Sequence, residues 1–447
     1  MMQYPLSSHL PEDVIAHRPG ELITASQFYQ QAVALARELP ETSYIINTCQ
    51  DRYLFMLGFA AAALSGKITL MPSSFAPNTI SQLQSRYPGL LCVHDGRDQA
   101  QGLPDFLITG RALANIADLG VAEVPQIDAE QVVSIVFTSG STGEPTAHSK
   151  RWGLLCRNGA SESERLQAKG TTIVATVPPQ HMYGFESSVL LALHGGSSIW
   201  NGKPFYPADI IDALHAAPSP RMLVTTPFHL STLMAANLPL PSCDMVLSAT
   251  APLPLPLAER AEQEFKAPLL EIYGCTESGQ VASRRPSHNP AWELLPGVKM
   301  DARQDGAWVF DGHVEGRVQL SDHIEDQGDG HFILLGRHED MVNVVGKRTS
   351  IPYLNSQLQA IPGVVDGCFL QPDPSTEDAK DLETVQRLVA LVVAPTLETR
   401  EILAQLRSRI DAVFLPRPVL RVDALPRNAT GKLVRSELLA LYDKHRS

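Results

Sequence analysis

No C-x-x-C pair occurs among the six cysteines, Cys49, Cys92, Cys156, Cys243, Cys275 and Cys368. Thiols scattered in this way make neither a zinc site nor a disulfide framework, and reduced thiols are expected. No apolar run is long enough to cross a membrane. The longest, Tyr53 to Leu64, stops at Ser65-Gly66-Lys67, well short of the roughly 20 residues a span needs. It reads as a buried core helix. Positive charge is in deficit, with 36 Lys and Arg against 48 Asp and Glu and a net charge of −12. That balance argues against a nucleic-acid binder, because phosphate backbones need basic surfaces. Met1-Met2-Gln3-Tyr4-Pro5 lacks the basic and apolar regions of a signal peptide, so a cytoplasmic location is expected. Internal repeats and long low-complexity tracts are also missing.

What remains is an ordinary globular composition, 44% hydrophobic over 447 residues. That length exceeds one hydrophobic core and implies at least two domains. Val132 to Phe137 is short, β-branched and nearly unbroken, as expected of a strand covered on both faces. It runs into Thr138-Ser139-Gly140-Ser141-Thr142-Gly143-Glu144-Pro145. The hydroxyls, backbone N–H groups and glycines of this loop suit a polyphosphate. The spacing is not that of a Walker loop, which needs a lysine after its second glycine. Nor is it a nucleophile elbow, since Ser139 stands where a glycine is required.

From Val132 onward strands and helices alternate, implying a largely parallel sheet wrapped by helices. After Arg285 short strands alternate with Gly/Asp turns. Past Gly336-Arg337 a compact α+β unit follows, with its boundary near Gly336–Asp340. The expected fold is α/β. Residues 1–337 form a large N-terminal domain of parallel sheets, with a β-rich subdomain at about 286–337. Residues 338–447 form a small C-terminal domain.

Three further motifs stand out. In Tyr273-Gly274-Cys275-Thr276-Glu277 a glutamate follows a strand end, where it can hold Mg²⁺ beside phosphate oxygens. Alone, an exposed loop acid explains it better. Ser321-Asp322 and Gly336-Arg337-His338-Glu339-Asp340 offer an aspartate for ribose hydroxyls and an arginine fork; taken singly, a turn acid and a surface ion pair suffice. Leu425-Pro426-Arg427-Asn428-Ala429-Thr430-Gly431-Lys432 carries a lysine on a glycine loop, otherwise a solvated basic turn.

In this order and spacing the four motifs resemble the acyl-adenylating (AMP-binding) superfamily of acyl-CoA synthetases, adenylation domains and luciferases, over about Val132 to Leu439. Pro178-Pro179-Gln180-His181-Met182-Tyr183-Gly184 is similar to the family segment bearing a gating aromatic or histidine. The resemblance implies an acid–thiol ligase. A carboxylate attacks the α-phosphate of ATP, releasing pyrophosphate, and the pantetheine thiol of coenzyme A or of an acyl carrier protein takes the acyl group.

It also implies roles. Thr138, Ser139, Gly140, Ser141, Thr142 and Gly143 would hold the β- and γ-phosphates. Thr276 and Glu277 would serve the α-phosphate and Mg²⁺. Tyr273 would lie by the adenine, and Asp322 by the ribose with Arg337 beside it. Lys432 would bridge carboxylate and α-phosphate. Glu339 falls on the hinge of a mobile C-terminal lid, and Gly346 borders the pantetheine path.

The family's usual lysine after the loop proline is Thr146 here, and Lys150 is the candidate substitute. The loop Glu-Pro-x-x-His-Ser-Lys-x-Trp is similar to that of short ligases of bacterial aryl-polyene and xanthomonadin-type pigment pathways. That narrower resemblance implies a hydroxybenzoate-like aryl acid. By position, His181, Tyr183, Phe185, Phe228, Ser248, Thr250 and Gly274 line the acyl pocket, although core packing explains the aromatics equally well. A medium-chain fatty acid fits the same pocket. A degenerate nucleotide-binding protein without activity is the reading from another class, motivated by Thr146. Lys347, Arg348, Arg417 and Arg421 are candidates to meet an acidic carrier protein, against the plainer reading of a solvated face.

Overall fold

The computed structural model describes residues 2–72, 74–100, 102–108, 123–139, 145–303, 306–337, 341–344, 347–372, 388–427 and 433–446. Two large sheets dominate. Six strands make one, in the spatial order Pro145–Arg151, Val132–Ser139, Ile68–Met71, Tyr44–Asn47, Leu91–His94 and Asp105–Leu107. All pairings in it are parallel except the hairpin between Val132–Ser139 and Pro145–Arg151.

The second sheet has eleven strands. Its centre is parallel and runs through Val14–Arg18, Ser198–Trp200, Thr172–Ala175, Arg221–Thr225, Met245–Ser248 and Leu269–Cys275. Antiparallel strands extend it at both edges. Gly279–Arg284, Trp292–Leu294, His331–Arg337 and Asp322–Gly328 follow on one side.

Helices fill the space between the sheets. The helix Arg52–Leu64 is apolar all round and buried along nearly its whole length, as a helix covered on every side should be. It packs with Ala25–Glu38, Trp152–Leu166 and the segment from Met182 to Gly195 into one apolar cluster drawing on both sheets. Asp51 caps Arg52–Leu64 through Leu54 N, and Thr24 with Gln27 forms a capping box on Ala25–Glu38. Arg52 is fully buried. Its guanidinium donates to Ser188 Oγ (2.7 Å) and to the carbonyls of Ala175 (2.9 Å) and Val177 (2.7 Å). These bonds tie the helix to a parallel strand end, so the charge keeps polar partners where water cannot reach.

Met182–Gly195 is not a uniform helix. Phe185–Leu190 is a π-helical stretch between two α-helical pieces. Beyond it, Lys299–Arg303, Gly306–Phe310 and Arg317–Leu320 form a three-stranded antiparallel sheet. The β-rich texture expected at about 286–337 is therefore divided between this sheet and the antiparallel edge of the large one. Residues 341–446 carry apolar clusters of their own, around Leu354, Phe369 and Ile402 and around Cys368, Leu391 and Tyr442. All six cysteines are free. Among the described residues no helix is long and apolar enough to cross a membrane.

Candidate active site

Strand ends of both sheets meet at one place. The hairpin register puts Thr138 opposite Thr146, Val136 opposite His148 and Ser134 opposite Lys150. Alternation along Pro145–Arg151 sends Thr146, His148 and Lys150 to one face, while Ala147 packs into an apolar cluster on the other. His148 Nε2 lies 3.0 Å from Thr138 Oγ1 and 3.5 Å from Glu277 Oε1. One imidazole thus connects the strand Val132–Ser139 with the Thr276–Glu277 turn. Burial lowers the pKa of His148, Lys150 nearby lowers it further, and the Glu277 carboxylate opposes both.

Lys150 reaches the same turn from below. Its Nζ donates to the carbonyl of Thr276 and, at 3.1 Å, to that of Glu277. Burial lowers the pKa of this ammonium, and the surrounding acids, led by Glu186, raise it. The proposed substitute for the missing lysine therefore sits at the Glu277 end of the loop, with two backbone carbonyls on its charge.

Across the sheet, Tyr273 Oη donates to Asp322 Oδ2 at 2.6 Å. Asp322 begins the strand Asp322–Gly328 and is paired in register with Arg337. The tyrosine and the aspartate, which belong to separate motifs, are thus joined directly, with Arg337 in register beside them. Gly274 follows the tyrosine. A Cβ there would lie 2.3 Å from the carbonyl oxygen of Gly279, so the turn admits no side chain at that position.

The expected acyl-pocket residues divide. Ser248 ends one parallel strand and is fully buried, with no hydrogen-bond partner for its Oγ among the described residues. Thr250 follows in a left-handed conformation, φ 80°, a strained backbone for a β-branched residue. His181 heads the helix entry, and its carbonyl accepts from Phe185 N at 2.8 Å. Tyr183 and Phe185 belong to the apolar core between the sheets. Tyr183 Oη donates to the Leu247 carbonyl (3.0 Å), and the Phe185 ring packs edge-on against Phe59. Phe228 is exposed on the helix Pro227–Ala235, and the Arg427 guanidinium lies 5.7 Å from its ring centroid. Arg427 is held in turn by Asp366 at 2.8 Å. Arg417 and Arg421 flank or end the strand Val419–Arg421, and Arg421 pairs with Glu398.

Gly140 to Gly143, Glu339, Gly346 and Lys432 lie outside the described residues, as do the side chains of Ser139, Arg337, Lys347 and Arg348. Sequence reasoning missed His148 and Glu186. The signal was there for each: His148 shares the alternating face of Thr146 and Lys150, and Glu186 is the one acid of the largely apolar stretch Met182 to Gly195. Glu186 and Met182 line a cleft shared with Lys150, Asn158, Glu277 and His313.

Comparison with known protein families matches residues 32–303 to the AMP-binding enzymes. The chain belongs to this family. Its class is therefore that of an acyl-adenylate-forming acid–thiol ligase. A 4-coumarate–CoA ligase of Rhodobacter capsulatus is 29% identical over 53% of this chain and 59% of its own length, under two thirds of that relative. A 4-coumarate–CoA ligase of Halorhodospira halophila is 27% identical over 74% of this chain and 82% of its own. A 2-succinylbenzoate–CoA ligase of Bacillus velezensis is 23% identical over 91% and 87%. The fold is that of the o-succinylbenzoate CoA synthetase of Bacillus subtilis, solved with an acyl-adenylate, at a TM-score of 0.80, 17% identity and 98% coverage of each chain. It is also that of ATP-bound MatB from Rhodopseudomonas palustris, at a TM-score of 0.79, 18% identity and coverage of 97% and 96%. Both structures share the α/β architecture expected from the sequence.

Proposed function

We propose that this AMP-binding enzyme uses ATP and Mg²⁺ to convert an aryl carboxylic acid, hydroxybenzoate-like, into an acyl-adenylate with release of pyrophosphate. A pantetheine thiol, on coenzyme A or on an acyl carrier protein, then displaces AMP. The observation that carries this reading is the junction of separate motifs at neighbouring strand ends: Thr138 to His148 to Glu277 on one side, Tyr273 to Asp322 on the other. A nucleotide laid across that junction meets its ribose partner, its α-phosphate partner and its triphosphate loop in the order the chemistry requires.

The donor set suits the metal. Among the described residues no group of three or more His, Cys, Asp or Glu is placed to hold an ion. Glu277 offers a single partly exposed carboxylate. Mg²⁺ takes one or two carboxylates and fills its octahedron with phosphate oxygens and water, so Glu277 would hold it only together with the nucleotide. When bound, the ion supplies neutralisation of phosphate charge. Lys150 fixes the Thr276–Glu277 turn by its carbonyls and adds a positive charge beneath it. Lys432 brings a second cation to the α-phosphate on closure of residues 338–447, with Glu339 as hinge, and Gly346 keeps the thiol's path open. The relatives named for 4-coumarate and 2-succinylbenzoate support an aryl acid.

The test is a pyrophosphate-release screen over carboxylic acids with ATP and Mg²⁺, followed by coenzyme A and a phosphopantetheinylated carrier protein as acceptors. Lys432→Ala is expected to cut adenylation by about 10²–10³-fold, as on removal of a stabilising charge. Gly346→Trp is expected to spare the adenylate and block the thioester. ATP binding with no pyrophosphate release across the panel would sink the proposal.

A further inference from the structure

A buried polar cluster adjoins the cleft beside Glu277, and no step described above uses it. Gln280 stands at its centre. Its backbone N donates to Glu186 Oε1 (3.2 Å), which also accepts from Asn158 Nδ2 (2.9 Å). Gln280 Nε2 donates to Ser187 Oγ (2.7 Å), and that hydroxyl donates to Glu162 Oε1 (2.6 Å). The Gln280 carbonyl accepts from His313 Nε2 at 2.6 Å. All six residues are buried.

These bonds fix the orientation of each group and leave one kind of atom over. With Nδ2 on a carboxylate, Asn158 has its Oδ1 open. With Nε2 on a hydroxyl that itself donates onward, Gln280 has its Oε1 open. A carbonyl partner only accepts, so His313 carries its hydrogen on Nε2, and burial keeps the ring neutral by pushing its pKa down to about 4. Its Nδ1 is then a bare acceptor. Asn158 Oδ1, Gln280 Oε1 and His313 Nδ1 are all buried without a hydrogen-bond partner among the described residues. An open buried acceptor is destabilising, and native interiors rarely keep several together. Acceptors left open in one cluster call for a donor from outside the chain.

The cleft supplies the route. Asn158, Glu186 and His313 line it together with Glu277 and Lys150. The reacting carboxylate must sit by the α-phosphate, at Glu277 in the reading above, so the rest of the acid extends along this cleft toward the cluster. Lys150 and Arg151 line this cleft beside Glu277 and Glu315, so no net charge is called for, and a hydroxyl is the simplest neutral donor an aryl acid can carry. Gly279 makes the close approach. Its φ is +75°, and a Cβ on it would meet Glu186 Oε1 at 2.7 Å and Asn158 Nδ2 at 3.0 Å.

Building on the ligase reading, we propose that Asn158 and His313, the two residues with open acceptors that line the cleft, form the subsite that reads a hydroxyl on the acid, so that hydroxylated acids are selected over their unsubstituted counterparts. A site built to bond a hydroxyl discriminates strongly against the analogue lacking it, since its own polar groups are then left unpaired.

Two matched sets of probes test this: 3- and 4-hydroxybenzoate against benzoate, and 4-coumarate against cinnamate. Each acid is measured twice, by calorimetric binding in the presence of AMP and by pyrophosphate release with ATP and Mg²⁺. In one set the wild-type enzyme is expected to prefer the hydroxylated acid by about 10²-fold or more. Asn158→Leu and, independently, His313→Phe are expected to shrink that ratio at least about tenfold, as loss of about 1.4 kcal/mol of discrimination does. Absence of any wild-type preference, or equal losses on both members of a set in both variants, overturns the subsite and leaves the cluster a purely structural or hydrated one. Preferential binding of the hydroxylated acid without pyrophosphate release from any acid supports the subsite and overturns the ligase reading.

Discussion

Lys150 Nζ donates to the carbonyl oxygen of Glu277 at 3.1 Å, across 127 residues of chain. A lysine on the hairpin of Val132–Ser139 and Pro145–Arg151 thereby holds the turn that presents Glu277, the proposed metal ligand. Replacing it by Met removes the charge and both carbonyl contacts while keeping most of the packing. Adenylation is expected to fall by about 10²-fold, the scale of one lost electrostatic stabiliser, and the Mg²⁺ concentration for half-maximal rate to rise. Lys150→Arg is expected to restore part of the rate. Unchanged rate and unchanged Mg²⁺ dependence in Lys150→Met would dismiss the role.

Tyr273→Phe deletes the 2.6 Å donor to Asp322 and leaves the ring in contact with Trp292 and Phe332. A hydrogen bond to a carboxylate contributes about 1.5–3 kcal/mol. The Asp322 carboxylate, the proposed ribose partner, loses the donor that orients it. Apparent ATP affinity is expected to weaken about tenfold, with the rate at saturating ATP little altered. Titration of pyrophosphate release with ATP separates the two quantities, and a loss confined to the saturated rate would count against the ribose assignment.

Glu162 gives a pH signature. Burial raises its pKa to about 7, against the hydrogen bond from Ser187 that lowers it. An unfolded chain loses this proton near 4.5, whereas the folded chain keeps it up to about 7. The folded state therefore binds more protons in that window. The stability from protonated Glu162 is full below about 4.5 and is lost as pH rises through 7, at up to about 1.4 kcal/mol per pH unit. Glu162→Gln cannot ionise. Urea midpoints at pH 5 and pH 8 are expected to show a smaller drop in this variant than in the wild type. Parallel drops would show that the carboxyl does not titrate in this range.

Two glycines with the same backbone separate strain from contact. Gly20 has φ +74° and nothing within 4 Å of a built Cβ, whereas Gly279 has φ +75° and two polar atoms within 3.0 Å. Gly20→Ala is expected to cost about 1–2 kcal/mol, the left-handed penalty alone. Gly279→Ala should cost more and also displace Glu186. Thermal unfolding of the two variants makes the comparison, and equal costs would mean that the cluster yields freely.

Legibility followed patterning. The strand Val132–Ser139, the buried helix Arg52–Leu64 and the alternation after Val132 were readable because apolar period and length agree in them. The pairing of Tyr273 with Asp322 was readable only as a shared motif set, since 49 residues separate them. The strand Asp322–Gly328 escaped notice because its sequence is polar and acidic, and it lies at an edge where only one side is paired. The hairpin Val14–Thr24 escaped as well: His17 is buried there only because Ser198, far along the chain, accepts or donates at 3.0 Å. The helix Thr399–Leu406 stops short although Ile410 and Val413 continue the apolar pattern. Asp411 opens a separate turn by accepting from Val413 N at 3.1 Å, a local side-chain bond that competes with helix propagation.

The π-helical stretch Phe185–Leu190 sets a phase. One extra residue per turn shifts everything on one side of it by about 100° relative to a continuous α-helix. Met182 and Glu186, before and at the start of it, line the cleft, while Leu191 and Leu193 beyond it pack into the core. The chain thus stores the aim of its cleft-lining acid in a single inserted residue of helix, and an insertion or deletion of one residue here would rotate the pocket wall without touching any side chain in it.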